Sequence, residues 1–81
     1  MWNDIGNWKS LYDLFISLKK DPIIGNVVSL DSNNNLIISF NRLTVTIGVK
    51  NMIIININNS TLVLPMNEAE RVKEIVGKLL Q

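Results

Sequence analysis

Between Val27 and Leu64, apolar residues alternate with Ser, Thr and Asn, and only Asp31, Arg42 and Lys50 are charged. A period of two places successive side chains on opposite faces of a strand, so this stretch predicts consecutive half-buried β-strands. Residues 23–30 contain the first. Asp31 to Asn35 form a loop by composition, because Asn and Asp bond their own backbone and tolerate positive φ. Leu36, Ile38 and Phe40 then share one face, and Leu43, Val45, Ile47 and Val49 share the next.

A two-residue hairpin loop at Asn41 and Arg42 sets Phe40 against Leu43, Ile38 against Val45 and Leu36 against Ile47, apolar on apolar throughout. After a turn near Lys50 and Asn51, the fourth strand (52–57) turns Ile53, Ile55 and Ile57 inward. A four-residue loop, Asn58 to Thr61, places Leu62 opposite Ile57 and Leu64 opposite Ile55. Pro65 ends a short fifth strand. Successive short connections imply an antiparallel meander, since parallel pairing needs a long crossover. No internal repeat is expected.

Helices flank the strands. Trp8, Leu11, Tyr12, Phe15 and Leu18 form one helical stripe behind Asn7 as N-cap, with Leu14 widening it, and Pro22 is expected to stop the helix. Asn67 and Glu70 have the spacing of a capping box for a last helix, whose stripe is Val72, Ile75, Val76, Leu79 and Leu80. Glu74 and Lys78 form an i,i+4 pair there. The fold class that follows is α+β. A two-layer sandwich is expected, with an N-terminal helix, a five-stranded antiparallel meander and a C-terminal helix (α-β-β-β-β-β-α) in a single small domain, residues 1–81.

The chemistry is constrained by what is missing. The 81 residues include no Cys and no His, which removes disulfides, thiolate metal sites and the commonest general base. The four glycines are isolated, and no Ser sits in a nucleophile elbow. The expectation is therefore no catalytic residue, no cofactor and no metal, in a non-enzymatic cytoplasmic protein. The longest apolar run, Met52 to Ile55, is far short of the ~20 residues a membrane span requires, and the net charge of +1 gives no long-range steering.

The remaining candidate is the uncharged outer sheet face. Ile37, Ser39, Thr44, Thr46, Ile54 and Asn56 are expected to form a protein interface, because such a face normally carries charge when left open; a sheet edge, along residues 62–64 or 27–30, is the other expected contact. The partner is expected to be a second copy in a homodimer, or another protein. The less favoured alternative is weak nucleic-acid binding through Lys19, Lys20, Arg42 and Lys50. In element order the chain is loosely similar to the small Alu-RNA-binding subunits of the signal recognition particle. Trp8 opens a helix, Asp21 and Pro22 close it, Val27 and Val28 start an antiparallel sheet, and a helix ends the chain. That likeness implies RNA contact on the sheet and pairing as dimers, but two extra strands and a sheet without basic residues depart from it, and no binding residue carries over.

Overall fold

The computed structural model describes residues 8–79, so Asn7, Trp2 and Leu80 lie outside the described residues. Helix α1 (Trp8–Ser17) precedes strands β1 (Ile23–Leu30), β2 (Leu36–Ile47), β3 (Met52–Ile57) and β4 (Ser60–Pro65). A 3-10 stretch (Met66–Arg71) then leads into helix α2 (Val72–Leu79). The sheet order is β1-β2-β3-β4. β1 pairs parallel to β2, and β2 parallel to β3; only β3 and β4 are antiparallel. The expected five-stranded antiparallel meander is thus corrected to four strands in a mostly parallel sheet. The likeness to an antiparallel RNA-binding sheet ends with it.

The cause is winding. β1 bends near Gly25 and β2 near Asn41, and neither strand reverses. Ile23, Ile24 and Gly25 lie opposite Ile37, Ile38 and Ser39, whereas residues 27–30 lie opposite Thr44 to Ile47. These legs make two walls of a coil. A third side closes at a parallel bridge between Asn33 and Lys50. The rest of each rung is the crossover that parallel pairing requires.

The corners are set by residues with positive φ. Asp31 and Gly48, Asn34 and Asn51, and Asn41 and Asn58 are such pairs, each 17 residues apart. An internal repeat therefore exists, contrary to the sequence expectation. Asn enters the left-handed region more readily than other non-glycine residues, which gives many of the chain's asparagines a conformational role.

One left-handed residue makes a corner: at Asn41 (φ 68) the chain turns and continues. Two in succession reverse it: Asn58 (φ 51) and Asn59 (φ 62) have the signs of a type I′ hairpin turn. The β3–β4 hairpin therefore has a two-residue loop, with Ile57 opposite Ser60 and Leu62 opposite Ile55. The shift of two from the expected register leaves every side chain on its expected face.

The first wall is buried on both sides. Leu36, Ile53 and Ile55, all at 0% exposure, face the helices with Leu64, Ala69 and Val72, against which Trp8, Leu11, Tyr12 and Val76 pack. Ile37 and Ser39 are buried on the other side of the wall, inside the coil. Burial on both faces is why Leu36 to Ile38 and Met52 to Ile55 read as unbroken apolar runs.

Both helix ends differ from expectation. α1 closes at Lys19 (φ 56), with Lys20 N–H donating to the Phe15 carbonyl at 2.9 Å and Lys19 N–H to that of Ile16 at 3.0 Å. That is a Schellman closure, complete before Pro22. Leu14 and Leu18 are exposed. The expected capping box at Asn67 does not form. Pro65 holds the N-cap position of the 3-10 stretch without a side-chain bond, and Glu68 (φ −115, ψ 18) kinks the stretch before α2 begins. Glu74 pairs with Arg71, not with Lys78.

Candidate interaction surface

The residues chosen from sequence as an outer face line the inside of the coil. Ile37, Ser39, Thr46 and Ile54 are buried, and Thr44 and Asn56 are half-buried. The polar ones form a ladder across the interior. Ser39 Oγ donates to the Arg42 carbonyl at 2.8 Å and accepts from Thr44 Oγ1 at 2.7 Å. Asn56 Nδ2 donates to Thr44 Oγ1 at 3.1 Å, and Thr46 Oγ1 to Ser29 Oγ at 2.8 Å. These bonds satisfy hydroxyls and an amide that would otherwise be costly inside. As a contact face for a partner, this set is corrected: it is internal structure.

The side chains expected to lie beneath the helices are divided. Ile55 is buried, but Leu43 and Val45 are each 55% exposed and Ile47 is 69% exposed. The corner at Asn41 is responsible. Ser39 and Thr44 both point inward although they are five residues apart, so the bend reverses the in-out phase that a flat strand would keep. Val28 pairs with Val45 and Leu30 with Ile47, which makes an aliphatic outer face on the second wall. Its Val28, Leu30, Leu43, Val45 and Ile47 are all exposed, and a contiguous apolar patch of this kind marks an interaction surface. The signal that would have found it is the 17-residue repeat.

The basic residues do not gather. Arg42 and Lys50 stand beyond opposite ends of the second leg of β2, on the order of 16 Å apart by strand rise. Arg42 Nη2 is already engaged with Asn59 Oδ1 at 2.6 Å. Lys19 and Lys20 lie at the end of α1, exposed.

A groove of about 330 Å³ runs between β4 and α2 over Leu62, Leu64 and Ile75, rimmed by Glu68, Arg71, Glu74 and Lys78. Arg71 Nε donates to Glu74 at 2.9 Å and its Nη1 to Glu68 at 3.2 Å. The first bond holds the Glu74 carboxyl below its ordinary pKa and, with the second, raises that of Arg71. The rim therefore neutralises itself. Among the described residues no three of His, Cys, Asp or Glu come together as a metal site, and no helix is long and apolar enough to cross a membrane.

Comparison with known proteins accounts for the winding. A mannose-1-phosphate guanylyltransferase 2 of Escherichia coli O157:H7 is 33% identical over 79 residues, 96% of this chain and 16% of that protein. A mannose-1-phosphate guanylyltransferase of Escherichia coli is 37% identical over 82 residues, 96% of this chain and 17% of that protein. A crystal structure described as that of mannose-1-phosphate geranyltransferase from Thermus thermophilus superposes with a TM-score of 0.75. It is 27% identical and covers 98% of this chain and 24% of that one.

The chain thus spans about one sixth of the length of the curated relatives it matches. Relatives named as transferases overturn the expected non-enzymatic, homodimeric interaction module and its nucleic-acid alternative: what this chain matches is part of an enzyme. Residues 25–79 match the family described as MannoseP isomerase/GMP-like beta-helix domain, and the chain belongs to that family.

Proposed function

We propose that this chain serves as the β-helix domain of a mannose-1-phosphate guanylyltransferase, which transfers a guanylyl group to mannose-1-phosphate. The observation that carries the reading is the 33% identity to a guanylyltransferase across 96% of the chain. In this reading the domain's contribution is mechanical. Its aliphatic outer face, centred on Val45 and Ile47, seats against the larger part of the enzyme that binds the reacting groups. Covering half-exposed aliphatic side chains contributes about 1 kcal/mol each. A cytoplasmic location belongs to the same reading.

The test is a chimera of the Escherichia coli O157:H7 relative in which this chain replaces the matched segment. It is expected to transfer guanylyl groups to mannose-1-phosphate, whereas the relative without that segment does not. Val45→Asp with Ile47→Asp in the chimera is expected to lower transfer at least about tenfold with unchanged circular dichroism. A folded but inactive chimera would overturn the assignment, and full activity in the double variant would overturn the seating face.

A further inference from the structure

Inside the coil each lap is roofed by the next. Ile37 pairs with Ile23 on one side and with Ile54 on the other, and the three share the inward face. Ile37 is 1% exposed and Ile54 8%, but Ile23 is 39% exposed, because among the described residues no lap lies beneath the one it begins. The coil therefore has a mouth beside β1.

A cavity of about 250 Å³ opens at this mouth. Ile23 and Ile37 form an apolar ledge in it. Tyr12 and Ile16 of α1 close one side together with Asp21 and Pro22, and Ser29 closes the other with residues 32–35.

Two of the polar side chains around it are spent on the fold. Asn35 Nδ2 donates to the Val49 carbonyl and Asn35 Oδ1 accepts from the Met52 N–H, both at 2.8 Å. Ser32 Oγ donates to the Leu30 carbonyl at 3.0 Å and accepts from the Val49 N–H at 3.1 Å. The others are not spent. Ser29 Oγ accepts from Thr46 Oγ1 and keeps its own hydrogen to donate. Tyr12, Asp21, Asn33 and Asn34 line the cavity with no side-chain hydrogen bond among the described residues.

This unspent set selects a ligand class. Asp21 is its one carboxylate, and no lysine or arginine lines the cavity: Lys19 and Lys20 precede Asp21 but stand outside it. A phosphate would meet a negative charge and no cation. A hard metal ion would find a single carboxylate where it needs several oxygen ligands held together. A neutral ligand carrying several hydroxyls meets donors and acceptors on its polar side and the ledge on its C–H side. The volume lies below that of pockets for drug-sized ligands, which limits the occupant to about one ring.

We infer that the mouth of the coil binds one neutral pyranose ring of a saccharide. Asp21 accepts hydrogen bonds from adjacent ring hydroxyls. The amides of Asn33 and Asn34 and the hydroxyls of Tyr12 and Ser29 bond the others, and the C–H face rests on Ile23 and Ile37. The inference goes beyond the enzyme assignment and needs only this chain.

The probes are D-mannose, D-glucose and D-galactose, titrated into the full chain and followed by NMR. At least one is expected to bind with an affinity on the order of millimolar, to shift the side-chain amide signals of Asn33 and Asn34 and to move the Tyr12 ring signals. Mannose-1-phosphate is expected to bind more weakly than mannose. A disaccharide of mannose separates two sources of the ring: equal affinity supports a free monosaccharide, and tighter binding supports the end of a glycan. Asp21→Asn is expected to weaken binding at least about tenfold with unchanged circular dichroism. Asn34→Gly keeps a residue suited to φ 60 and is expected to weaken it severalfold. Asn58→Gly, the same exchange outside the cavity, is expected to leave it unchanged. No shift with any of the three sugars at about 100 mM, equal binding of the open-chain polyol sorbitol, or tighter binding of mannose-1-phosphate would each overturn the proposal. Binding that leaves the Asn33, Asn34 and Tyr12 signals unmoved would overturn its place. These readouts use the unaltered chain and do not depend on the variants folding.

Discussion

Gly25 has φ 95, and a Cβ built there would stand 1.9 Å from the Ser39 carbonyl oxygen. Two rungs touch backbone to backbone at this corner, and only glycine leaves room. Gly25→Ala is expected to cost on the order of 3 kcal/mol or more, from forced contact and left-handed strain together. A urea titration followed by circular dichroism measures it, and an unchanged midpoint would show that the corner can open. Gly48 is the contrast: it has φ 65 but nothing within 4 Å of a Cβ, so only conformational strain opposes substitution there. The asparagines act at the same scale. The sequence showed their number and their tolerance of turns, but not whether each would make a loop, a corner or a reversal. That choice depends on whether one residue or two in succession take positive φ.

Lys19 belongs to the scale of elements, because its left-handed backbone is what ends α1. Glycine is the residue this position favours, so Lys19→Gly is expected to stabilise the chain by about 0.5–1 kcal/mol, read as a higher thermal midpoint. A lower midpoint would mean that the lysine side chain makes a contact outweighing the strain.

What was legible in the elements follows from periodicity. The stripe Trp8, Leu11, Tyr12 predicted α1, and alternation located the strand segments to within a few residues. Direction of pairing was not legible from alternation, because a hairpin and a corner at Asn41 both place apolar residues opposite apolar residues. The unbroken runs Leu36 to Ile38 and Met52 to Ile55 were the available clue, since a meander with one wet face does not need them. Of the candidate site residues, Ser39, Thr44 and Asn56 are hydrogen-bonded to one another inside the coil and not on an open face. The face was assigned to solvent because a ladder of Ser, Thr and Asn resembles a wet surface until its partners are known.

At the scale of the whole molecule, inside and outside can be tested directly. Ile54→Lys is expected to unfold the chain, since it would place a charge in the coil interior with no partner. Val45→Lys, on the exposed outer face, is expected to change stability by no more than about 0.5 kcal/mol. Thermal melts of the two variants separate the structure from the flat-sheet expectation, in which their order is reversed.

The turn at Asn58 and Asn59 has a consequence for how such a protein grows. On this side the coil stops where Asn58 and Asn59 both take positive φ and send the chain back as β4. A chain whose second residue there avoided positive φ would proceed into another lap, and the laps already present supply the template for its packing. Relatives of different height could therefore arise by copying whole laps and moving the terminating asparagine pair, with no need to redesign the interior.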